Sequence, residues 1–168
     1  VGGTTGLGGA TTVSTGSGNV TFTGAVNGAQ TLAVDSTGDT LFSAAVGGTV
    51  ALTSLTTNAG GTVSLQSVTT TGAQSYGENA TLNGTYTTTN SAFNVGGTTG
   101  LGGATTVSTG SGNVTFTGAV NGAQTLAVDS TGATLFSAAV GGTNALTSLT
   151  TNAGGTVSLQ SVTTTGAQ

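Results

Sequence analysis

The fold is decided by residues 20–46, which read VTFTGAVNGAQTLAVDSTGDTLFSAAV. Apolar and hydroxyl-bearing side chains alternate in short runs, and Gly, Asn or Asp separates the runs. Phe22 and Phe42 stand twenty residues apart, and so do Val26 and Val46. Alternation with a period of two is typical of strands, and a spacing near twenty is typical of one coil of a β-solenoid. This stretch therefore predicts stacked coils of short strands joined by tight turns.

The stretch belongs to an internal repeat that covers almost the whole chain. Residues 95–168 repeat residues 1–74 with an offset of 94, and residues 75–94 occur once. We expect a first repeat unit at 1–94 and a second, truncated unit at 95–168, joined in one continuous solenoid. Identical residues of the two copies are predicted to stack at equivalent places along one axis, with Phe22 and Phe116 both pointing inward. Because the sequence starts and stops inside the repeat, we also expect it to be a piece of a longer array.

The two copies differ at two positions. Asp39 is replaced by Ala133, and Val50 is replaced by Asn144. An unpaired amide is costly to bury, so position 50 is predicted to face outward or to border a turn. The same reasoning applies to position 39.

Composition excludes several classes of partner. The 168 residues contain no Lys, Arg, His, Cys, Met, Trp or Pro, and the net charge is −4. Binding to nucleic acid or to an anionic membrane surface depends on Lys and Arg, so neither is expected. No apolar run approaches the roughly 18 residues that a membrane-spanning helix needs, so no membrane insertion is expected. Thr, Ser, Asn and Gln must supply the wetted surface.

Local alternation predicts strands at residues 20–23, 31–34, 62–65 and 80–83. Clusters rich in Gly, Ser and Asn between them predict turns, one of which is residues 58–61. The predicted class is all-β, with coils of roughly twenty residues.

An antiparallel β-sandwich of repeats is the structural alternative. Asn27-Gly28 is a hairpin signal that would join antiparallel strands. We favour the solenoid because the ten- and twenty-residue spacings give its register. Exposed sheet edges are also usually guarded by Lys or Pro, and the chain has neither.

Residues 1–16 and 75–94 are the least regular parts of the sequence. The first is rich in Gly, and we interpret it as a thin coil or a turn-rich segment. The second contains Tyr76, Tyr86 and Phe93 and is the most aromatic part of the chain.

Three phrases resemble a known group of proteins: NVTFTGAVNGAQTL, FSAAVGGTVALTSLTTNAGGTVSL and SVTTTGAQSYGENATL. They look like the repeats of giant secreted bacterial proteins of the filamentous-haemagglutinin and autotransporter-adhesin type. The resemblance covers nearly the whole chain, but its motifs are compositional. It implies a right-handed parallel β-helix at the cell surface or in an extracellular filament, acting as an adhesin, a stalk or a matrix fibre.

The sequence offers little for catalysis, cofactors or metals. His, Cys and Lys are absent, so the usual bases and nucleophiles are missing and no enzyme activity, catalytic residue or cofactor is expected. Asp35 and Asp39 bracket a segment that superficially resembles a calcium loop, which needs only oxygen ligands. Because Ala133 replaces Asp39 in the second copy, we interpret the segment as a polar turn and predict no metal site.

Three further patterns each have a structural interpretation. The N-x-T motifs begin at Asn19, Asn79, Asn83 and Asn113, and in a chain with 41 Thr they are expected by chance. Thr21-Phe22-Thr23 has the form used by ice-binding solenoids, but the neighbouring coils do not repeat it. The Gln residues of the GAQ triplets could form stacked amide ladders along the axis, which would be packing rather than a site.

The predicted function is a structural repeat segment of an extracellular filament, stalk or surface fibre, which associates with neighbouring repeats or with itself. The alternative is an adhesin module that recognises glycans or surfaces, and ice binding ranks below it. An exposed cluster of Tyr76 and Tyr86 would favour glycan recognition, because aromatic faces suit sugar rings.

Overall fold

A computed structural model describes residues 1–58, 60–152 and 154–168. Within these ranges the chain forms nineteen β-strands and no helix, and all strand pairings are parallel. The β-solenoid prediction is therefore confirmed, and the antiparallel alternative is wrong. The strands are β1 (Thr5–Gly6), β2 (Thr11–Gly16), β3 (Val20–Phe22), β4 (Val26–Asn27), β5 (Thr31–Ser36), β6 (Thr40–Phe42), β7 (Ser54–Thr57), β8 (Thr62–Leu65), β9 (Val68–Thr69), β10 (Gln74–Tyr76), β11 (Asn79–Thr87), β12 (Phe93–Val95), β13 (Thr99–Gly110), β14 (Val114–Phe116), β15 (Val120–Asn121), β16 (Thr125–Ser130), β17 (Thr134–Phe136), β18 (Ser148–Thr151) and β19 (Val157–Ser158).

Each turn of the solenoid adds one rung to each of three parallel ladders. Successive coils lie about 21 residues apart and make about 7 turns, which agrees with the predicted spacing of roughly twenty. Individual coils vary, since Thr40 pairs with Val63 and Val63 pairs with Ala80, at separations of 23 and 17 residues. Ladder I runs through Val26, Val46, Val68, Tyr86, Val107 and Val128, ladder II through Val13, Val34, Thr57, Tyr76, Val95, Phe116 and Phe136, and ladder III through Val20, Thr40, Val63, Ala80, Thr99, Val120 and Val140.

The ladders form two large sheets. Ladder II is an eight-stranded sheet in the order β19-β17-β14-β12-β10-β7-β5-β2. Ladders I and III share a nine-stranded sheet, β18-β16-β13-β11-β8-β6-β3, because β11 and β13 are long enough to contribute to both. Strands β9 and β15 pair with β11 and β13 beside this path, and β1 pairs with β4. The Asn27-Gly28 hairpin signal was misleading, because Asn27 ends β4 in a parallel pair.

Apolar side chains from all three ladders fill the interior. Phe22 stacks on Phe42 with ring centroids 4.9 Å apart, and Phe116 stacks on Phe136 at 5.0 Å. A twenty-residue spacing thus places like side chains one above the other. Tyr76, Tyr86 and Phe93 are fully buried in the single-copy coil and meet edge to face.

The second copy is rotated about the axis by one ladder. Val26 lies in ladder I, and four full turns lead from it to Val107. Phe116 then follows in ladder II, and Val120, the repeat of Val26, follows in ladder III. The 94-residue offset therefore corresponds to four and two-thirds turns. Our expectation that the two copies occupy equivalent places along the axis is wrong, although Phe22 and Phe116 both point inward as predicted.

Three local expectations can be compared with the structure. Val50 is 47% exposed and Asp39 is exposed, which confirms the outward placement of both substituted positions. Residues 1–16 include β1 and β2, and the same sequence in the second copy forms β13, a 12-residue strand, so our interpretation of it as turn-rich is wrong there. The predicted turn at 58–61 includes Ala59, which lies outside the described residues.

Candidate functional site

Three of the four carboxylates brace turns against the next coil. Asp35 Oδ1 accepts a hydrogen bond from Asn58 Nδ2, and Asp129 accepts the equivalent bond from Asn152. Asp39 Oδ1 accepts bonds from the Thr62 amide at 3.2 Å and from its hydroxyl at 2.9 Å. Across the part of the chain that the structure describes, no three acidic side chains come close enough together to hold a metal ion. Asp35 and Ser36 end strand β5, and residues 37–39 form the polar turn that leads into β6.

Glu78 is the fourth carboxylate, and it is buried. It lies between β10 and β11 and is 6% exposed. Burial raises the pKa of its carboxyl group, while the Thr57 hydroxyl and the backbone N–H groups of Gly77 and Glu78 act in the opposite direction. Glu78 Oε2 has no hydrogen-bond partner among the described residues. Sequence reasoning did not find this group; its position two residues after Tyr76 in the aromatic stretch was the available signal.

A buried polar network surrounds Gln74. Its side-chain amide donates to the carbonyl oxygens of Thr87 at 2.9 Å and Val68 at 3.2 Å. Tyr76 OH donates to Gln74 Oε1 at 3.1 Å. The neighbouring rungs of Gln74 are Leu55 and Phe93, so the proposed ladder of stacked Gln amides is wrong at this position.

The two tyrosines cannot present their rings to a ligand. Tyr86 OH donates to the Leu65 carbonyl oxygen at 3.2 Å and accepts from the Asn83 amide at 3.1 Å. Burial raises the pKa of both Tyr76 and Tyr86 above the usual value for a phenol. Because both side chains are fully buried, the exposed aromatic cluster that would favour glycan recognition does not form at Tyr76 and Tyr86.

The asparagines of the N-x-T motifs hold adjacent coils together. Asn19 Oδ1 accepts from the Asp39 amide at 2.9 Å, and Asn113 repeats this bond with Ala133. Asn79 Oδ1 accepts from the Thr98 amide and hydroxyl. The remaining motif asparagine, Asn83, donates to the Gln66 side chain at 2.9 Å. Asn19 and Asn113 lie in the turns that lead into β3 and β14, whereas Asn79 begins β11 and Asn83 lies within it.

Asn27 shows the same role, which the hairpin interpretation missed. Its Oδ1 accepts from the Thr49 and Val50 amides, one coil further along the axis. An Asn just before a Gly-containing turn could have indicated this use, because Asn side chains readily satisfy nearby turn amides.

The outer face lacks a regular array of threonines at the position that resembles ice-binding solenoids. Thr21 is exposed, but its neighbour one coil later is Leu41, and the next is Ser64. In the second copy Thr115 is likewise followed by Leu135. Ice-binding faces depend on a repeated flat rank, and this ladder interrupts it after a single coil.

Comparisons with protein-family models, with curated proteins and with solved structures found no match. Residues 1–58, 60–152 and 154–168 include no helix long and apolar enough to cross a membrane. The polar side chains described above form hydrogen bonds between adjacent coils, and the apolar side chains pack in the interior, so both sets of contacts hold the coils together. The resemblance to haemagglutinin-type repeats stays a prediction.

Proposed function

We propose that the chain is a non-enzymatic structural segment of an extracellular filament, stalk or surface fibre. The observation that carries the proposal is the continuity of the ladders where the first unit meets the second. Strand β12 spans Asn94 and Val95 and pairs with β10 on one side and β14 on the other. An element built this way can be lengthened unit by unit without a change of fold, because each coil contacts only its neighbours.

The side chains that join the coils support the same proposal. Polar side chains at the turns form hydrogen bonds to the next coil, as Asn113 does with Ala133. In the interior, similar side chains of successive coils stack on one another, as Phe116 does on Phe136. Tension along the axis would therefore be opposed by many small contacts in parallel. The extracellular location is supported by the resemblance of the repeats to those of secreted bacterial filaments, and it remains part of the proposal.

Two measurements test the proposal. Chains with one, two and three additional 94-residue units should lengthen in small-angle scattering by about 22 Å per unit, given about 4.7–4.9 Å per hydrogen-bonded turn. Antibodies raised against the 168 residues should label intact source cells or the fibres they shed. Labelling that requires permeabilised cells would contradict the extracellular location.

Glycan recognition is the competing function. It no longer has the support of Tyr76 and Tyr86, both of which are buried. A glycan-array screen of the 168-residue chain tests it directly, and saturable binding to one sugar class would displace the structural proposal.

A further inference from the structure

Glu78 differs from the other carboxylates of the chain because it is enclosed. Its side chain is 6% exposed, and its Oε2 has no hydrogen-bond partner among the described residues. Asp35, Asp39 and Asp129 are all exposed. An ionised carboxylate that is removed from water is unfavourable unless a positive charge or several donors compensate it. Glu78 therefore needs a compensating group that an exposed Asp does not need.

The chain supplies no cationic side chain to this carboxylate. Lys, Arg and His are absent from all 168 residues. Strands β7 and β12 flank β10, strands β8 and β13 flank β11, and none of these four strands contains a charged residue. The titratable neighbour of Glu78 is Tyr76, whose hydroxyl donates to Gln74. A compensating positive charge must therefore come from solution.

The groups around the carboxylate favour its ionised form. The Thr57 hydroxyl and the backbone N–H groups of Gly77 and Glu78 all act in that direction. Thr57 lies in the preceding coil, where it pairs with Tyr76, and it is 2% exposed. Its Oγ1 also has no hydrogen-bond partner among the described residues. Two buried oxygens from adjacent coils thus lie near each other without a bond, as oxygen ligands of a shared cation do.

The number of ligands indicates the charge of the cation. Ca²⁺ takes about six to eight oxygen ligands, commonly with several carboxylates, and Glu78 is the single carboxylate at this corner. A divalent ion would therefore leave excess positive charge in a poorly solvated place. We propose that Glu78 and Thr57 form a binding site for one small monovalent cation, such as Na⁺, which links two adjacent coils of the solenoid.

The following coil makes the site narrow. Gly96 and Gly97 cross over Gly77 and Glu78, and the Gly97 amide donates to the Glu78 carbonyl oxygen at 3.2 Å. A Cβ at Gly97 would lie 2.6 Å from the carbonyl carbon of Glu78, so the backbone of this coil packs directly on the corner. With backbone on one side and Thr57 on the other, the site favours a small ion over a bulky organic cation such as choline.

Replacing choline by sodium tests the inference on the intact 168-residue chain. The two chloride salts are exchanged at pH 8 and constant ionic strength, so the screening of exposed charges stays the same. Raising Na⁺ from about 0.02 M to about 0.2 M should increase the equilibrium constant for folding by up to about tenfold, because one site stabilises in proportion to ln(1 + [L]/Kd). Amide hydrogen exchange at residues 76–80 should slow in parallel.

Four variants show whether the response belongs to this site. Glu78→Gln keeps the size of the side chain, removes its charge and should abolish the response to Na⁺. Asp39→Asn removes an exposed carboxylate and should keep the response. Thr57→Val should weaken Na⁺ binding by about tenfold through loss of one oxygen ligand. Thr134→Val, at a buried threonine of β17, should leave Na⁺ binding unchanged.

Several results would overturn the inference. Equal urea midpoints in sodium and choline chloride would leave a proton as the group that neutralises Glu78. A response that persists in Glu78→Gln would assign the ion to another place, and a wild-type response in Thr57→Val would refute the link between coils. Stabilisation by Ca²⁺ at a tenfold lower concentration than Na⁺ would refute the monovalent class. None of these results bears on the proposed filament, because the site depends on the fold alone.

Discussion

The sequence TGLGGATTVSTG occurs at residues 5–16 and at residues 99–110, with two different structures. The first occurrence forms the short strands β1 and β2, and Leu7, which lies between them, and Val13, in β2, are only half-buried. The second is one continuous strand, β13, whose equivalent side chains are buried. The difference lies in the neighbours: β13 has β11 on one side and β15 and β16 on the other, whereas β1 and β2 pair on one side only.

The opposite end of the molecule gives the reverse comparison. Val63 and Leu65 are fully enclosed in the first copy, where β11 follows them. Their repeats, Val157 and Leu159, are exposed in the last coil. Burial in this chain is therefore a property of stacking rather than of a residue's own sequence context, as expected when each coil stabilises only its neighbours.

The largest expected effect is the loss of a covered leucine. Leu65→Ala should lower the free energy of unfolding by about 3 kcal/mol, because a fully buried side chain leaves a cavity. Leu159→Ala, the same substitution in the uncovered coil, should cost less than about 1 kcal/mol. Urea unfolding followed by circular dichroism measures both. Equal losses would show that stacking does not set the energetic role of these positions.

Gly18 and its repeat Gly112 allow the uncovered and covered coils to be compared by adding a methyl group to each. A Cβ at Gly112 would overlap the carbonyl oxygen of Ser91 in the single-copy coil, whereas a Cβ at Gly18 meets Thr15 O at 3.4 Å. Neither glycine has a positive φ, so steric contact alone should decide the outcome. We expect Gly112→Ala to destabilise by about 2 kcal/mol and Gly18→Ala by about 0.5 kcal/mol or less. Thermal unfolding midpoints of the two variants provide the measurement. Equal midpoints would contradict the expected steric overlap between the added Cβ at position 112 and the Ser91 carbonyl oxygen.

Glu78 lies in the coil that covers the first copy and gives that coil a pH dependence. Burial raises its pKa in the folded state above the unfolded value, so folding favours the protonated form. Its contribution to stability is therefore fully present below the unfolded pKa and is lost as pH rises through the folded pKa. Glu78→Gln should remove this part of the fall in unfolding free energy with rising pH, which urea midpoints measured between about pH 4 and pH 8 would reveal. If the urea midpoint of the variant falls with pH as steeply as that of the wild type, other groups cause the loss of stability.

Much of the architecture follows from local pattern. The twenty-residue spacing of Phe22 and Phe42 predicts the stack that the structure contains, and alternation locates β3, β5 and β8 within two residues at each end. These features depend on side-chain periodicity, which the sequence displays directly.

The rotation of the second copy could not be predicted in the same way. It depends on summed coil lengths, which vary from 17 to 23 residues between paired rungs. Turns between ladders can absorb extra residues without disturbing the rungs, so composition gives no count of turns in 94 residues. The Gly-rich segment was misjudged for a related reason: its strand β13 forms where both neighbours are present.

The polar residues show the same limit, because local turn preferences can be read from the sequence whereas burial by another coil cannot. The polar turn that contains Asp39 was correctly predicted, because Asp carries a local hydrogen-bonding preference for turns. The burial of Tyr76, Tyr86 and Glu78 was missed. Their enclosure is decided by coils 18 to 21 residues away in sequence, which no local pattern reports.

The smallest predicted effect concerns the natural difference between the copies at position 39. Asp39→Ala removes the two bonds to Thr62 from an exposed turn, and it should lower the free energy of unfolding by about 0.5–1 kcal/mol. The converse change, Ala133→Asp, places a carboxylate opposite Thr156, the repeat of Thr62, and should restore a similar amount. The double variant should therefore lie close to the wild type, because the two sites are separated by several coils and their effects should add. Denaturant titrations of the three variants measure this balance. If Asp39→Ala is destabilising but Ala133→Asp brings no gain, the bracing of a turn by Asp requires a covering coil, and the comparison between the copies extends from their apolar interiors to their polar surfaces.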